Sequence, residues 1–236
     1  GVDHFYLYNN NSTDNYEDVL RPYINDDIVT LIEWPGKGQQ FVVYKNCYEV
    51  FRNETNWISF IDADEFIVPK NTTSIREWIK SYSKYPSIMI NWLMFGTGGI
   101  IEHDYQKNVI EQYYACSQKL HWFGKCFINT RFDIADFNLW HVHHNTYMKY
   151  PIGEFDLTIP SVNQFYHIYG VGSNYRSNYH SVDKSKASIT INHYFTKAWE
   201  IYSKKMQKND VLFDKNPKAD YSYFYKFEDK CTSRDY

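Results

Sequence analysis

The stretch of sequence that decides the fold is Trp57-Ile58-Ser59-Phe60-Ile61-Asp62-Ala63-Asp64-Glu65-Phe66. Its first half is an unbroken apolar run, which predicts a central strand in a sheet that is covered on both faces. Its second half places three carboxylates within four residues, and these would repel one another unless a cation or solvent compensated their charge. Divalent ions such as Mg2+ and Mn2+ take oxygen ligands and can join carboxylates to a diphosphate. The stretch therefore predicts a strand that ends in a metal-binding turn, with a solvated acidic loop as the alternative.

Strand and helix patterns alternate on both sides of this stretch. Before it we expect a strand at residues 3–8, a polar turn at 9–14, a helix at 15–23, a strand at 28–34 and a helix at 40–52. After it we expect a helix at 74–82, strands at 87–93, 124–129, 138–143 and 189–194, and a helix at 196–207. Such alternation predicts one α/β domain with a mostly parallel sheet flanked by helices, whose ligands bind beyond the carboxyl ends of the strands.

The amino-acid composition limits which kinds of partner can be expected. The 236 residues carry 25 basic and 28 acidic side chains, mixed along the chain for a net charge of -3, so no nucleic acid is expected as a partner. No apolar run is long enough to span a bilayer, and membrane association is expected only through segments outside these residues. Aromatic residues make up 19% of the chain, which suits stacking on sugar rings but equally suits a compositional bias of the genome. The four cysteines are widely spaced and indicate no zinc knuckle.

Several pieces of the chain resemble known donor-site signatures. Asn-Asn-Asn-Ser-Thr-Asp-Asn at residues 9–15 and Phe-Ile-Asp-Ala-Asp-Glu-Phe at 60–66 look like the two signatures of GT-A-fold glycosyltransferases. The residues Asn-Trp-Leu-Met-Phe-Gly-Thr-Gly-Gly at 91–99, Val-Ile-Glu-Gln-Tyr at 109–113 and His-Tyr-Phe-Thr-Lys at 193–197 resemble glycosyltransferase family 92 in order and spacing. The resemblance implies a GT-A-like, Rossmann-type sheet that lacks its first strand and helix.

The resemblance also implies an activity. Such an enzyme transfers a hexose, often galactose, from a UDP-sugar donor to a glycan acceptor with inversion at the anomeric carbon, while Mn2+ (or Mg2+) holds the diphosphate. Residues 1–100 would form the nucleotide-sugar half and 101–210 the acceptor side, and 211–236 receive no role. The compartment would be the Golgi lumen in a eukaryote, and the cytoplasm or the membrane periphery in a bacterium.

Site residues carry over from the resemblance one by one. The metal ligands would be Asp62, Asp64 and His193, with Asp64 the more direct ligand and a catalytic residue, and Asp62 nearer the ribose or an ordered water. Four residues of the turn after the first strand and two lysines would complete the donor site: Asn9, Asn10, Ser12, Asp14, Lys197 and Lys204. Lysines are point charges suited to a diphosphate leaving group.

An inverting transfer also needs a base for the acceptor hydroxyl. Glu111, which follows the glycine loop, is the candidate, and four other carboxylates stay open as alternatives: Asp104, Asp133, Glu154 and Asp156. The acceptor or donor-sugar wall is predicted at Trp92, Phe95, Gly96 and Gly98, because tryptophan stacks on sugar rings and glycine lets the backbone approach a ligand.

Three other interpretations compete with this one. The cluster His141-Val142-His143-His144 on a predicted strand could hold a second metal, but no further ligands follow at a recognisable spacing. A non-catalytic carbohydrate-binding module would explain the aromatic residues but has no need of the acids at 62–65. A phosphotransferase or nucleotidyltransferase would use the same acids, yet the sequence has no phosphate-cradling G-x-x-x-x-G-K-[ST] loop.

Overall fold

The computed structural model describes residues 1–134, 137, 140–143, 148–159, 161–168, 182–207 and 221–234. The strands are β1 (Phe5–Asn9), β2 (Val29–Glu33), β3 (Trp57–Ser59), β4 (Glu65–Pro69), β5 (Ser87–Met94), β6 (Ala115–Cys116), β7 (Gly124–Asn129), β8 (Met148–Ile152), β9 (Phe155–Ile159), β10 (Val162–Asn163), β11 (Ile189–His193) and β12 (Ser233–Arg234). The helices are α1 (Tyr16–Asn25), α2 (Gln40–Phe51), α3 (Ile75–Ile79), α4 (Val109–Gln112), α5 (Trp140–His143), α6 (Trp199–Met206) and α7 (Tyr221–Glu228).

The central sheet has the strand order β3-β7-β5-β11-β4, and β10 joins the same β5. Strand β5 runs parallel to β10 and β11, whereas β7 is antiparallel to both β3 and β5, and β4 is antiparallel to β11. The predicted α/β class is confirmed. The prediction of a mostly parallel sheet is not confirmed, because β7, which is far along the chain from β3, lies antiparallel between β3 and β5. Alternation along a sequence does not reveal such an insertion.

Strand β5 forms the centre of the core. Ile88, Met89 and Ile90 are fully buried, as its continuous apolar sequence predicts for a strand covered on both faces. Its partner β7 begins at Gly124, where an added Cβ would lie 1.9 Å from the carbonyl oxygen of Ile90. Only a residue without a side chain fits there, so this glycine sets how closely β7 approaches β5.

Two parts of the chain differ from the sequence predictions. The strand predicted at 138–143 is wrong, because Trp140–His143 is a short helix and residues 138 and 139 lie outside the described ones. Helical spacing does not place residues two apart on one face, so the argument for a shared histidine face is lost. The C-terminal residues, which were given no role, contain α7, whose Phe224 and Phe227 pack in the core. None of the described helices is long and apolar enough to cross a membrane.

Strands β1 and β2 pair in parallel as a sheet of their own. Between β1 and β3 lies a cavity of about 1040 Å3, lined mostly by apolar side chains but with Asn10 and Asp62 among its walls. The cavity therefore runs alongside the end of β1 to the acidic turn. That the sheet lacks a first strand and helix stays a prediction.

Candidate donor site

The acidic turn joins β3 to β4 and is closed by its own hydrogen bonds. The backbone N–H of Glu65 donates to the carbonyl of Asp62 over 3.0 Å, and the N–H of Asp62 donates to the Glu65 carboxylate over 3.1 Å. Strand β4 then begins at Glu65, which is paired in register with His193 on β11. The turn and the strand pairing together bring three carboxylates and one imidazole to the same place.

Asp62 is held by neighbours on three sides. The ammonium of Lys125, a fully buried residue of β7, lies 3.2 Å from Asp62 Oδ2 and 3.6 Å from Glu65 Oε2. Gln40 and Tyr44 of α2 donate to the other oxygen of Asp62 over 3.2 and 3.3 Å. Burial raises the pKa of Asp62, but Lys125 outweighs that effect and the pKa is lowered overall. Asp62 is thus an ionised carboxylate whose lone pairs are largely occupied.

Asp64 and His193 face each other at the edge of the site. His193 Nε2 lies 3.6 Å from Asp64 Oδ1, and the ammonium of Lys205 lies 3.5 Å from Asp64 Oδ2. Burial opposes ionisation of Asp64, yet the imidazole and the nearby lysines lower its pKa well below the usual range. Burial also lowers the pKa of His193, against the pull of Asp64, so the imidazole is neutral near pH 7 and has a lone pair for a metal.

The described residues fit a cation that is held by two side chains rather than three. Among them no group of three His, Cys, Asp or Glu residues forms a metal-binding cluster. Asp64 and His193 offer one oxygen and one nitrogen, and Mg2+-type sites commonly take their other ligands from phosphates and water. Glu65 Oε1 and His193 Nδ1 are buried without a hydrogen-bond partner and lie 3.9 Å apart. Buried polar atoms require partners, so a water molecule or a ligand belongs beside them.

The lysine that contacts Asp64 differs from the one selected on sequence. Lys204 is exposed and pairs with Glu200 of its own helix over 2.5 Å, whereas its neighbour Lys205 reaches Asp64. Lys197 lies near Asp64 as well; burial lowers its pKa against the pull of that carboxylate. Two cations therefore border the Asp64 side of the site. Sequence reasoning missed Lys205 because helix phase decides which of two adjacent lysines faces the strands.

The predicted nucleoside turn follows β1. Asn9 is buried and shapes the turn: it donates to Glu33 over 2.7 Å and accepts the N–H of Ser12 over 3.0 Å. Asn10 donates to the carbonyls of Trp34 and Gly36 over 2.6 and 2.9 Å and lines the cavity. Ser12 and Asp14 are exposed. Of the four, Asn10 is the one that lines the same cavity as Asp62.

The model of glycosyltransferase family 92 matches residues 1–230 of the chain. The chain belongs to glycosyltransferase family 92. A family 92 protein of Ricinus communis is 21% identical over 90% of the chain and 34% of its own length. A family 92 protein of Oryza sativa subsp. japonica is 32% identical over 37% of the chain and 15% of its own length. The chain thus spans about a third or less of the relatives that it matches.

The four residues of this family 92 chain that were predicted to form the acceptor or donor-sugar wall differ in burial and in their contacts. Trp92 packs 4.8 Å from the ring of His193 and leaves its buried Nε1 without a partner, so it borders the site. Phe95 is buried in the core. Gly96 lies against Cys231 and Glu228, and Gly98 has a φ of +61°. Of these four, Trp92 contacts the His193 ring with its side chain, and Phe95 contacts His193 through its backbone N–H, which donates to the His193 carbonyl over 2.9 Å.

The described contacts of Glu111, the predicted base, are local. Its carboxylate accepts the N–H of Asn108 over 2.7 Å and closes the capping box of α4. Asp104 and Asp133 are paired with Lys107 and Arg52. The side chain of Asp156 lies outside the described residues, and Glu154 is exposed. The assignment of Glu111 stays a prediction, since these contacts give it a structural role.

Replacing Lys125 with methionine is expected to lower the free energy of unfolding by about 3–5 kcal/mol at neutral pH, because the ionised carboxylate of Asp62 loses its counterion. Burial raises the pKa of Glu65 to about 8, so Glu65 is already mostly protonated at neutral pH. The loss should therefore grow as the pH rises above about 8 and Glu65 ionises. Urea unfolding at several pH values measures this. Lys45→Met is the control, because that lysine makes an exposed helix pair with Glu49. Equal losses for both variants at every pH would contradict the assignment.

Proposed function

We propose that this family 92 chain is a metal-dependent glycosyltransferase. It transfers a hexose, which we expect to be galactose, from a UDP-sugar to a glycan acceptor with inversion at the anomeric carbon. The observation that carries the proposal is the pairing of Asp64 with His193 beside Lys205, at the turn whose Asp62 lines the cavity. A carboxylate and a neutral imidazole suit a divalent cation, and a nearby ammonium suits the diphosphate that leaves.

Each side chain has a distinct part in this mechanism. Asp64 and His193 would hold Mn2+ or Mg2+, which when bound supplies charge stabilisation for the departing diphosphate. Lys205 and Lys197 add fixed positive charge on the same side. Asp62, held by Lys125 and α2, keeps the turn rigid and presents a cavity wall to the ribose. Such preorganised charges favour the transition state because they need no rearrangement as charge develops.

The first test is calorimetric titration of UDP with Mn2+ and again with EDTA, for the wild type, Lys205→Met and Lys204→Met. The wild type should bind UDP only with the metal. Lys205→Met should weaken binding about tenfold, because a charge-assisted contact to phosphate is lost, whereas Lys204→Met should stay within about twofold, since its ammonium is engaged with Glu200. UDP binding that ignores the metal would refute the mechanism, and equal effects of the two lysines would refute the role of Lys205.

Transfer itself needs a product assay. UDP-galactose and other UDP-hexoses would be incubated with a panel of glycan acceptors, and NMR of the product would give the anomeric configuration. Inversion predicts the configuration opposite to that of the donor. Glycan binding without UDP binding or product would instead favour a carbohydrate-binding module.

A further inference from the structure

The C-terminal helix α7 ends in a carboxylate that joins two separate turns. Glu228 accepts the backbone N–H of Thr97 over 2.9 Å and its hydroxyl over 2.8 Å, and it also accepts the hydroxyl of Thr196 over 3.0 Å. Thr97 follows β5 and Thr196 follows β11, and both threonines are buried. A single carboxylate thus ties together the chain segments that leave two neighbouring parallel strands.

The first turn is fitted closely to this helix. A Cβ added at Gly96 would lie 2.8 Å from Glu228 Oε1 and 2.8 Å from Cys231 Cβ. Thr196 Oγ1 also lies 3.3 Å from the carbonyl oxygen of Phe95, so the two turns contact each other directly as well as through Glu228. The contact leaves little space for either turn to shift independently.

The second turn reaches the candidate donor site. The N–H of Tyr194 donates to the carbonyl of Asp64 over 2.9 Å, and Lys205 lies 4.5 Å above the ring of Phe195. Lys197 follows Thr196 and adopts a φ of +51°, a left-handed conformation that non-glycine residues keep only where the surroundings fix it. Residues 194–197 are therefore held at one end by Asp64 and at the other by Glu228.

We propose that Glu228 is a positioning residue for the donor site: through Thr196 and Thr97 it fixes the turns that place Lys197 and the Asp64–His193 pair. The C-terminal helix is then part of the catalytic apparatus, although it contributes no group to the substrate. The expected effect of Glu228 on UDP binding rests on the proposed function, whereas its effect on the two turns does not.

The test compares Glu228→Gln and Glu228→Ala with Glu49→Gln, which changes an exposed carboxylate on α2. Two readouts are taken below the unfolding temperature: calorimetric affinity for UDP with Mn2+, and hydrogen exchange of peptides that cover residues 94–98 and 194–198. We expect Glu228→Ala to weaken UDP binding about tenfold, because a small misplacement of charged groups is costly. Glu228→Gln keeps one acceptor oxygen and should fall between Glu228→Ala and the wild type. Exchange in both peptides should be faster in the Glu228 variants and unchanged in Glu49→Gln.

The outcomes separate the two proposals. Faster exchange with weaker UDP binding supports both. If the wild type binds no UDP, the proposed function fails. Faster exchange in the Glu228 variants that is confined to the two turns would still show that Glu228 holds those turns in place. Unchanged exchange in both turns, or UDP affinity within twofold of the wild type despite faster exchange, would overturn the positioning role. If Glu228→Ala does not fold, Glu228→Gln decides alone.

Discussion

Asp64→Asn should lower the Mn2+-dependent affinity for UDP by about 100-fold. Loss of a group that only orients a metal ligand costs about 10–100-fold in metal affinity, and loss of the ligand itself should cost at least as much. The substitution preserves shape and removes one charge. Asp64 shares its surroundings with two other carboxylates, so relief of their repulsion should offset the lost contacts to His193 and Lys205. The free energy of unfolding should therefore change by no more than about 1 kcal/mol.

Calorimetric titration of UDP, with Mn2+ and with EDTA, measures this effect. Asp18→Asn is the control, because Asp18 makes an exposed pair with Arg21 and its loss should leave UDP binding unchanged. If Asp64→Asn binds UDP as tightly as the wild type in the presence of Mn2+, Asp64 is not a metal ligand. The donor site would then have to lie elsewhere in the protein.

Gly124→Ala should cost at least about 3 kcal/mol of the free energy of unfolding, at the upper end of overpacking effects in a core. The new methyl group would overlap the carbonyl of Ile90, and neither β5 nor β7 can move away without breaking the central ladder. Because Lys125 follows directly, any shift of β7 also withdraws the cation from Asp62 and Glu65.

Urea unfolding measures this loss, with Gly99→Ala as the control. Gly99 has a φ of +87° but no atom within 4 Å of an added Cβ, so its substitution should cost only about 1–2 kcal/mol for the left-handed backbone. The comparison separates steric overlap from backbone strain. Equal unfolding midpoints for the two variants would show that the β5–β7 contact is not a tight one.

Local patterns along the sequence predicted most of the strands and helices up to the end of β5, but few of those after it. The predicted bounds of β7 agree with the structure, those of β5 and α2 differ by one residue at one end, and those of β2 differ by one residue at each end. Strand β4 was not predicted, because the acids at its start were interpreted as part of a turn. The sheet order was not predictable either, since hydrophobic periodicity reports burial and not which strands pair.

The candidate site was predictable as a set of residue types but not as a set of contacts. Three carboxylates after an apolar strand already indicated where a cation would be needed. The register that places His193 opposite Glu65 joins residues far apart in the chain, and no local pattern encodes it. On sequence Lys125 was a candidate to reach a phosphate or a carboxylate, but its burial and its partners depend on β7 lying between two other strands. Glu228 lay in residues that showed no signal at all.

The cavity between β1 and β3 has a mechanical consequence. In the described part of the chain, its two walls belong to different sheets, with Asn10 on one and Asp62 on the other. The spacing of the walls can therefore change without breaking a strand-to-strand hydrogen bond. A nucleotide that spans the walls would remove this freedom and pay an entropic cost for doing so. A bound donor would then hold the two sheets at one spacing, and release of the nucleotide would allow that spacing to vary again.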